Sequence, residues 1–466
     1  VLLVVPDGVG LRTFACSRFP AEVRAQGGQL AVWHALPDEV LGEHQAALGE
    51  DVPLHRLPVR REPVAARVLR TGKRFAPLYG EREAGTEKLL VDRASTPVDH
   101  VVHHAGKVLG RALAAAPSAL PAVERAHARA SLGRGDDPWT EQLHELRPDV
   151  VLCTHQRAGI AVPAVAAARR LGIPTATFVH SWDNLPKGRM AVAADHVLVW
   201  SDKMAEDLRR YQPDVDPATV HVVGTPQLEA HLERGGARPR QAYLQDLGLD
   251  PDRPVVVWSG GDRTTSPRDP QYLADLAEAV TSLSPPPQVV FRRSPADHSD
   301  RYDEVLAAHP DVVVADPAWA APADGGWDRA VPHPDDLAQL AELAHHADLV
   351  VNLGSTVAMD FAVHDTPALF VRYDPGGIDD RDWDVHDIYR LPHFASVHRT
   401  DPVGWVDHQD ELAAAVAHAL AHPEEHAHGR RAWLALEVAH PLDEASRRCA
   451  DTVLQIARAS SPAGAR

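Results

Sequence analysis

The chain has 466 residues, a formal charge of −18 at neutral pH, 44% hydrophobic residues and 24% charged ones. That length exceeds one ordinary core and points to two domains of about 200 residues each. The acidic balance excludes a general nucleic-acid binder, which needs a basic surface, and no apolar run approaches the roughly 20 residues that span a bilayer. Cys16, Cys153 and Cys449 lie far apart without CxxC spacing, so they suggest neither a disulfide framework nor a structural zinc. A reducing cytoplasm is the expected setting. The 28 histidines fall largely in Ala-rich stretches such as 422–431 (HPEEHAHGRR) and read as solvated surface rather than metal ligands.

The opening VLLVVPDG reads as a first strand rather than a signal peptide. PDGVGLRTF (6–14) then supplies a glycine turn and a helix, and QLAVWHAL (29–36) a second strand. Residues 60–133 carry helical spacing with few strand signals and form an expected helical excursion. Alternation resumes with strands at 149–154, 174–180, 196–201 and 220–224, separated by helices at 161–172 and 203–211. The stretch 229–252, with Gly, Pro and charge but no strand, is expected to connect two domains. Strands then recur at 255–261, 288–293, 311–316, 348–354 and 367–373, with helices between them, and helices near 409–421 and 441–459 follow. Short buried strands alternating with helices mean parallel, doubly wound sheets. The expected division is an N-terminal domain over 1–228, a C-terminal domain over 253–435, and a final helical segment, 436–466, packing back on the first domain.

The strongest local signal is DLVVNLGSTVAMDFAVHDTP (348–367), where an apolar strand delivers Gly354, Ser355 and Thr356 onto a helix start. Free backbone N–H groups there can hold phosphate oxygens. Asp360, one turn inside, could accept hydrogen bonds from ribose or glycerol hydroxyls. Arg292 and Arg293 end another strand and suit bidentate phosphate binding. Gly260 and Gly261 end a third strand and would let a backbone approach a pyrophosphate. In the first half, His180 follows a strand in HSWDN (180–184) and could take a proton from an acceptor hydroxyl, with Asp183 orienting it or acting itself and Asn184 beside it. Asp7, in the PDGVG turn, is a rival base, and Arg12 could help hold an acidic acceptor. Asp379, Asp380, Asp382 and Asp384 superficially look like a metal-binding DxD and read as solvated loop. No P-loop and no GxGxxG after a strand is present, which removes support for ATP hydrolysis and nicotinamide chemistry.

The run from Gly354 through Asp360 to Pro367 resembles the donor-site motif of GT-B glycosyltransferases, and also the corresponding region of CDP-glycerol glycerophosphotransferases. Through PDGVGLRTF, HSWDN, VWSDKMAEDL and VVGTP the chain is similar to GT-B proteins of bacterial surface-polysaccharide clusters. The strand-end Arg-Arg-Ser-Pro (292–295) departs from the Arg-His-Pro common there. The resemblance implies two Rossmann-like domains facing a central cleft, and metal-independent transfer of a sugar from a nucleoside-diphosphate donor to an acceptor that the sequence does not name. It implies an enzyme that uses no cofactor beyond its nucleotide-activated donor, and it fits the cytoplasmic setting read from the cysteines and the absence of nucleic-acid binding read from the charge, with a place at the inner membrane face as a further expectation. Transfer of glycerol phosphate, and a catalytically silent nucleotide-binding scaffold, are the alternatives.

Overall fold

Continuous apolar runs such as Leu2-Leu-Val-Val5, buried at every position, can form only strands covered on both faces, and parallel sheets follow. The structure is a computed structural model that describes residues 1–92, 94–133, 137–232, 237–320, 330–376 and 383–460. It divides into unit 1, Val1–Gln227 with Glu437–Arg466, and unit 2, Leu228–Leu436.

Unit 1 is built on β1 (Leu2–Val5), β2 (Ala31–His34), β3 (Leu54–Arg56), β4 (Val151–Cys153), β5 (Thr175–Phe178), β6 (His196–Val199) and β7 (Val220–Val222). Their order is β3-β2-β1-β4-β5-β6-β7, all parallel, with Leu3 opposite Val32 on one side and Leu152 on the other. The chain therefore winds outward from β1 in one direction and returns on its other side at β4. A sheet of this kind presents its ligand crevice where the winding reverses, beyond the carboxyl ends of β1 and β4. Phe14, on the helix after β1, meets Phe19 and Phe178 edge to face at 5.1 Å and ties that helix to the sheet.

The helical excursion comprises helices Val64–Glu81, Pro97–Ala115 and Leu120–Leu132, sharing a small core at Ala76, Leu113 and Leu120. Residues after Glu437 belong to unit 1: the Ala439 N–H donates to the Trp200 carbonyl (2.7 Å) and Arg448 Nε to the Val223 carbonyl (3.0 Å). The helix Ala445–Ser460 packs against the helix Phe19–Ala25.

Unit 2 carries β8 (Val255–Ser259), β9 (Gln288–Arg292), β10 (Val313–Val314), β13 (Leu349–Asn352), β14 (Ala368–Val371) and β15 (Gly404–Val406), with β11 (Trp319–Ala320) and β12 (Val331–Pro332) as a separate antiparallel pair. The main sheet runs β10-β9-β8-β13-β14-β15, so its winding reverses between β8 and β13. The sequence reading lacks β3, β15 and the β11–β12 pair, which are only two or three residues long and too short to show a period. It also takes 229–252 as a connection, whereas these residues are part of unit 2. The helix Arg240–Asp246 lies there, and Arg240 anchors it to Asp348 (2.7 Å) and to the His346 carbonyl. Among the described residues no helix is long and apolar enough to cross a membrane.

Candidate active site

At the reversal point of unit 1, Asp7 follows β1 and His155 follows β4. Asp7 has extended backbone geometry (φ −155°, ψ 173°) and caps the helix Gly8–Phe14, its Oδ1 accepting the Gly10 N–H at 3.0 Å. The helix can start this close to β4 only because residue 10 lacks a side chain: a Cβ there would sit 2.0 Å from Thr154 Oγ1. That approach brings Asp7 Oδ2 onto His155 Nδ1 in a hydrogen bond. A carboxylate on Nδ1 fixes the proton there and leaves the lone pair on Nε2. His155 Nε2 is buried and has no hydrogen-bond partner among the described residues.

The ring of His180, which follows β5, lies with its centroid 4.0 Å from that of His155. Its Nδ1 bonds Gln156 Oε1 at 3.3 Å and its backbone N–H donates to the same oxygen at 3.2 Å. The network continues from Gln156 Nε2 to Asn184 Oδ1 (2.9 Å), from Asn184 Nδ2 to Asp183 Oδ1 (2.8 Å), and from Lys187 to Asp183. Desolvation holds the His180 pKa well below its ordinary value, and the neighbouring His155 and Arg157 add to the shift.

These facts revise the proton-transfer assignment. His180 is a neutral, weakly basic ring locked onto a carboxamide. Asp183 is bound by Asn184 and Lys187, and its charge favours the protonated form of His180 without overcoming the burial that disfavours it. Asp7 acts on His155, which the sequence reading passed over because it ended the strand at Thr154. The signal available was the apolar strand DVVLCT delivering a histidine beside a strand-end aspartate. Arg12 is half-buried on the same helix as the Asp7 cap.

In unit 2, Gly260 and Gly261 follow β8, and Gly354, Ser355 and Thr356 follow β13, so the topology brings both turns to one reversal point. A buried carboxylate that sequence reasoning missed, Asp269, organises the first turn. It accepts from Trp258 Nε1 (2.7 Å), the Gly261 N–H (2.8 Å) and the Tyr302 hydroxyl (3.0 Å). Burial raises its pKa and those bonds oppose the rise. Arg301 closes the turn from outside, donating to the Gly261 carbonyl at 2.7 Å and the Ser266 carbonyl at 2.6 Å. Gly354 has φ +70°, and a Cβ there would meet Phe394 at 2.6 Å, so the second turn requires glycine.

Three donor-site expectations change here. The Ser355 N–H, expected free for an anion, donates to Asn352 Oδ1 (3.0 Å), and the Val357 N–H is directed at Ser355 Oγ (3.3 Å). Asp360 does not face solvent: it accepts from His231 Nε2 at 2.9 Å, His231 Nδ1 contacts His364 Nε2 at 3.0 Å, and burial holds the His364 pKa down to about 3. Arg292 is buried and bonded to Asp336 (3.1 Å) and the Ala315 carbonyl (3.3 Å), because the alternation of β9 turns it into the sheet flank. Arg293 reaches Asp316 at 3.1 Å and the Ser299 carbonyl at 2.8 Å. That Asp316 pair is the more exposed one and therefore the more readily exchanged. Asp379, Asp380 and Asp382 lie outside the described residues. Asp384 stands with Asp374 and His386, whose ligand atoms all fall within 4.8 Å of one another, and it accepts from the His386 backbone N–H (2.8 Å).

Residues 137–226, which include β4 to β7 and the His155–Asn184 network, match the Glycosyltransferase Family 4 domain. A 118-residue stretch is 33% identical to alpha-maltose-1-phosphate synthase of Mycobacterium tuberculosis, covering 25% of this chain and 29% of that protein; the chain thus spans less than a third of the length of this relative. The fold is similar to UDP-GlcNAc 2-epimerase of Neisseria meningitidis in its UDP-GlcNAc complex (TM-score 0.53, 11% identity, 97% of this chain and 99% of the other). It is equally similar to a glycosyltransferase of Rickettsia africae (TM-score 0.51, 10% identity, 99% and 98%). The two Rossmann-like units thus share the fold of these solved structures, and a segment of the first is similar to the Glycosyltransferase Family 4 domain.

Proposed function

We propose that the protein transfers a glycosyl group from a nucleoside-diphosphate sugar to an acceptor hydroxyl in cell-surface glycan or glycoconjugate assembly, without a metal or cofactor. The observation that carries this reading is the Asp7–His155 pair at the reversal point of unit 1, within reach of the family segment. In this reading His155 Nε2 takes the hydroxyl proton as the acceptor oxygen bonds to the anomeric carbon. The bond from that carbon to the diphosphate breaks, and the nucleoside diphosphate departs with the electron pair. Asp7 stabilises the imidazolium so formed. His180 and Gln156 hold the wall of the site.

The donor diphosphate would lie in unit 2 against the Gly260–Gly261 and Gly354–Thr356 turns, where a backbone can come close to an anion. Arg293 could exchange Asp316 for phosphate oxygens and balance leaving-group charge. The similarity to proteins named for a maltose phosphate and for UDP-GlcNAc supports a sugar-linked donor and leaves its base open. A cytoplasmic site of action, peripheral to the inner membrane face, is part of the proposal.

The test is a thermal-shift screen with UDP-, GDP-, dTDP- and CDP-linked sugars and with CDP-glycerol, followed by measurement of nucleoside-diphosphate release with and without acceptors. Stabilisation by a sugar nucleotide with acceptor-dependent release is the expected result. Stabilisation without release identifies a silent scaffold, and CMP release from CDP-glycerol identifies glycerophosphate transfer; either outcome ends the glycosyl reading.

A further inference from the structure

Within unit 1, the helix Val64–Glu81 crosses the loops that follow β4 and β5. The Cβ position of Gly159 lies 3.3 Å from Arg70 Nε, that of Gly188 lies 2.7 Å from the Arg74 carbonyl, and the Arg189 N–H donates to that carbonyl at 3.3 Å. Four basic side chains belong to this crossing, Arg70, Lys73, Arg74 and Arg189, and Arg157 lies in the crossed loop after β4, two residues before Gly159. Three are matched. Arg70 bonds Glu62 at 2.7–3.2 Å, Lys73 bonds Glu124, and Arg189 bonds both oxygens of Asp214 at 2.6 Å.

Arg74 and Arg157 are not matched. Among the described residues no carboxylate stands within ion-pair range of either one. Arg74 has only the ring of Phe75 under its guanidinium (5.7 Å), and its Nε is cut off from solvent without a hydrogen bond. Both are half-buried. Desolvation and then Arg157 hold the Arg74 pKa down to about 10, and desolvation lowers that of Arg157 while Asp183 opposes the shift at longer range. Two desolvated like charges in one region are costly unless an anion compensates them, and the described residues place no carboxylate in ion-pair range of either.

The surroundings say where that anion sits. Arg157 is two residues beyond His155, and its charge acts on His180. The helical excursion that carries Arg74 holds thirteen Lys and Arg against seven Asp and Glu between residues 60 and 133, in a chain whose net charge is −18, so it attracts anions locally. Planar guanidinium groups bind phosphate oxygens bidentately.

We infer that Arg74 and Arg157 form a receptor for a phosphate group carried by the acceptor, placing an acceptor hydroxyl at His155 Nε2. The acceptor class is accordingly a phosphate ester, either a free sugar phosphate or a phosphate-linked lipid. This inference rests on the transfer reading for the role of the bound group, and the phosphate site is measurable without it.

The experiment titrates the protein calorimetrically with glucose 1-phosphate and with glucose, and by sedimentation with phosphatidylcholine vesicles with or without phosphatidylglycerol, whose anionic phosphate carries a hydroxyl-bearing headgroup. It compares wild type, Arg74→Gln, Arg157→Gln, the double variant, and Arg111→Gln as an exposed control on the adjacent helix. Binding is expected to the soluble ester or to the vesicles that contain the anionic phosphate lipid, and whichever binds identifies the source; binding to neither overturns the site. Each single variant should weaken it about tenfold and the double variant should abolish it, while Arg111→Gln leaves it unchanged and circular dichroism shows all variants folded. Glucose binding as tightly as its phosphate, equal binding by wild type and double variant, or an equal loss in Arg111→Gln overturns the site. Absence of any nucleotide-sugar turnover in wild type overturns the transferase reading instead, and the phosphate titration still decides the receptor.

Discussion

The two reversal points use charge in opposite ways. In unit 2 the ionic groups around the turns are internally satisfied: Arg292 with Asp336, Arg301 with Asp297 (2.5 Å), and Asp269 with three donors. In unit 1 the corresponding edge keeps, among the described residues, an oriented imidazole with an unbonded Nε2 and two guanidinium groups with no carboxylate in ion-pair range. Buried pairs that satisfy one another shape backbone. Groups left unsatisfied mark where a ligand completes the arrangement. The lesson is that an arginine at a strand end is not by itself a phosphate ligand; what decides is whether the fold has already given it a partner.

The comparison breaks most visibly at His155. If this residue is the base, His155→Ala should lower turnover by about 10²–10⁴ with donor affinity nearly unchanged, and Asp7→Asn should show a smaller loss in the same direction. Steady-state rates beside donor titrations check this, and a His180→Ala loss larger than that of His155→Ala would return the role to His180. On the unit 2 side, Arg292→Ala should take the guanidinium away from the buried Asp336 carboxylate, costing about 3–5 kcal/mol in a urea titration. A variant of native stability that had lost donor affinity would make Arg292 a ligand residue after all.

Smaller effects sharpen the picture. Gly10→Ala puts a methyl carbon 2.0 Å from Thr154 Oγ1, and overpacking of this kind costs roughly 1–3 kcal/mol. It should also loosen the Asp7–His155 bond, so the fall in activity should exceed that of a surface glycine such as Gly42, where a Cβ meets nothing within 4 Å. The histidine chain behind Asp360 gives the mildest test. His364 is held down to about 3 in the folded protein, so the unfolded chain takes up a proton first as pH falls. Its contribution to stability is complete above about 6.5 and declines between 6.5 and 3, with a slope of at most about 1.4 kcal/mol per pH unit. Denaturation midpoints for wild type and His364→Gln across that window should converge toward acid; parallel curves would show that the residue does not titrate this way.

The sequence made the large features legible because strong signals carry them. Four-residue strands such as Leu2–Val5 and Leu349–Asn352, separated by helices, leave little choice but doubly wound sheets, and the motifs at Asp7, Gly260 and Gly354 do fall at strand ends beside the reversal points. Partner choice was not legible. Arg292 finds Asp336 44 positions away, Asp360 finds His231 129 positions away, and Asp7 finds His155 148 positions away. No local pattern encodes these meetings; sheet order creates them. His155 itself was hidden by a strand boundary, the feature least fixed by periodicity.

The return of the chain to unit 1 bears on how the protein is made. Unit 2, Leu228–Leu436, is one uninterrupted stretch that can fold as it leaves the ribosome. Unit 1 waits, because β6 and β7 are capped by Ala439 and Arg448 and the helix Ala445–Ser460 covers helix Phe19–Ala25. At the usual rate of about 5–20 residues per second, the first-made half stands incomplete for on the order of ten seconds or longer, with the flank of helix 19–25 exposed. Nascent chains truncated before residue 437 should therefore need chaperone protection of their N-terminal half while their unit 2 is already resistant to protease.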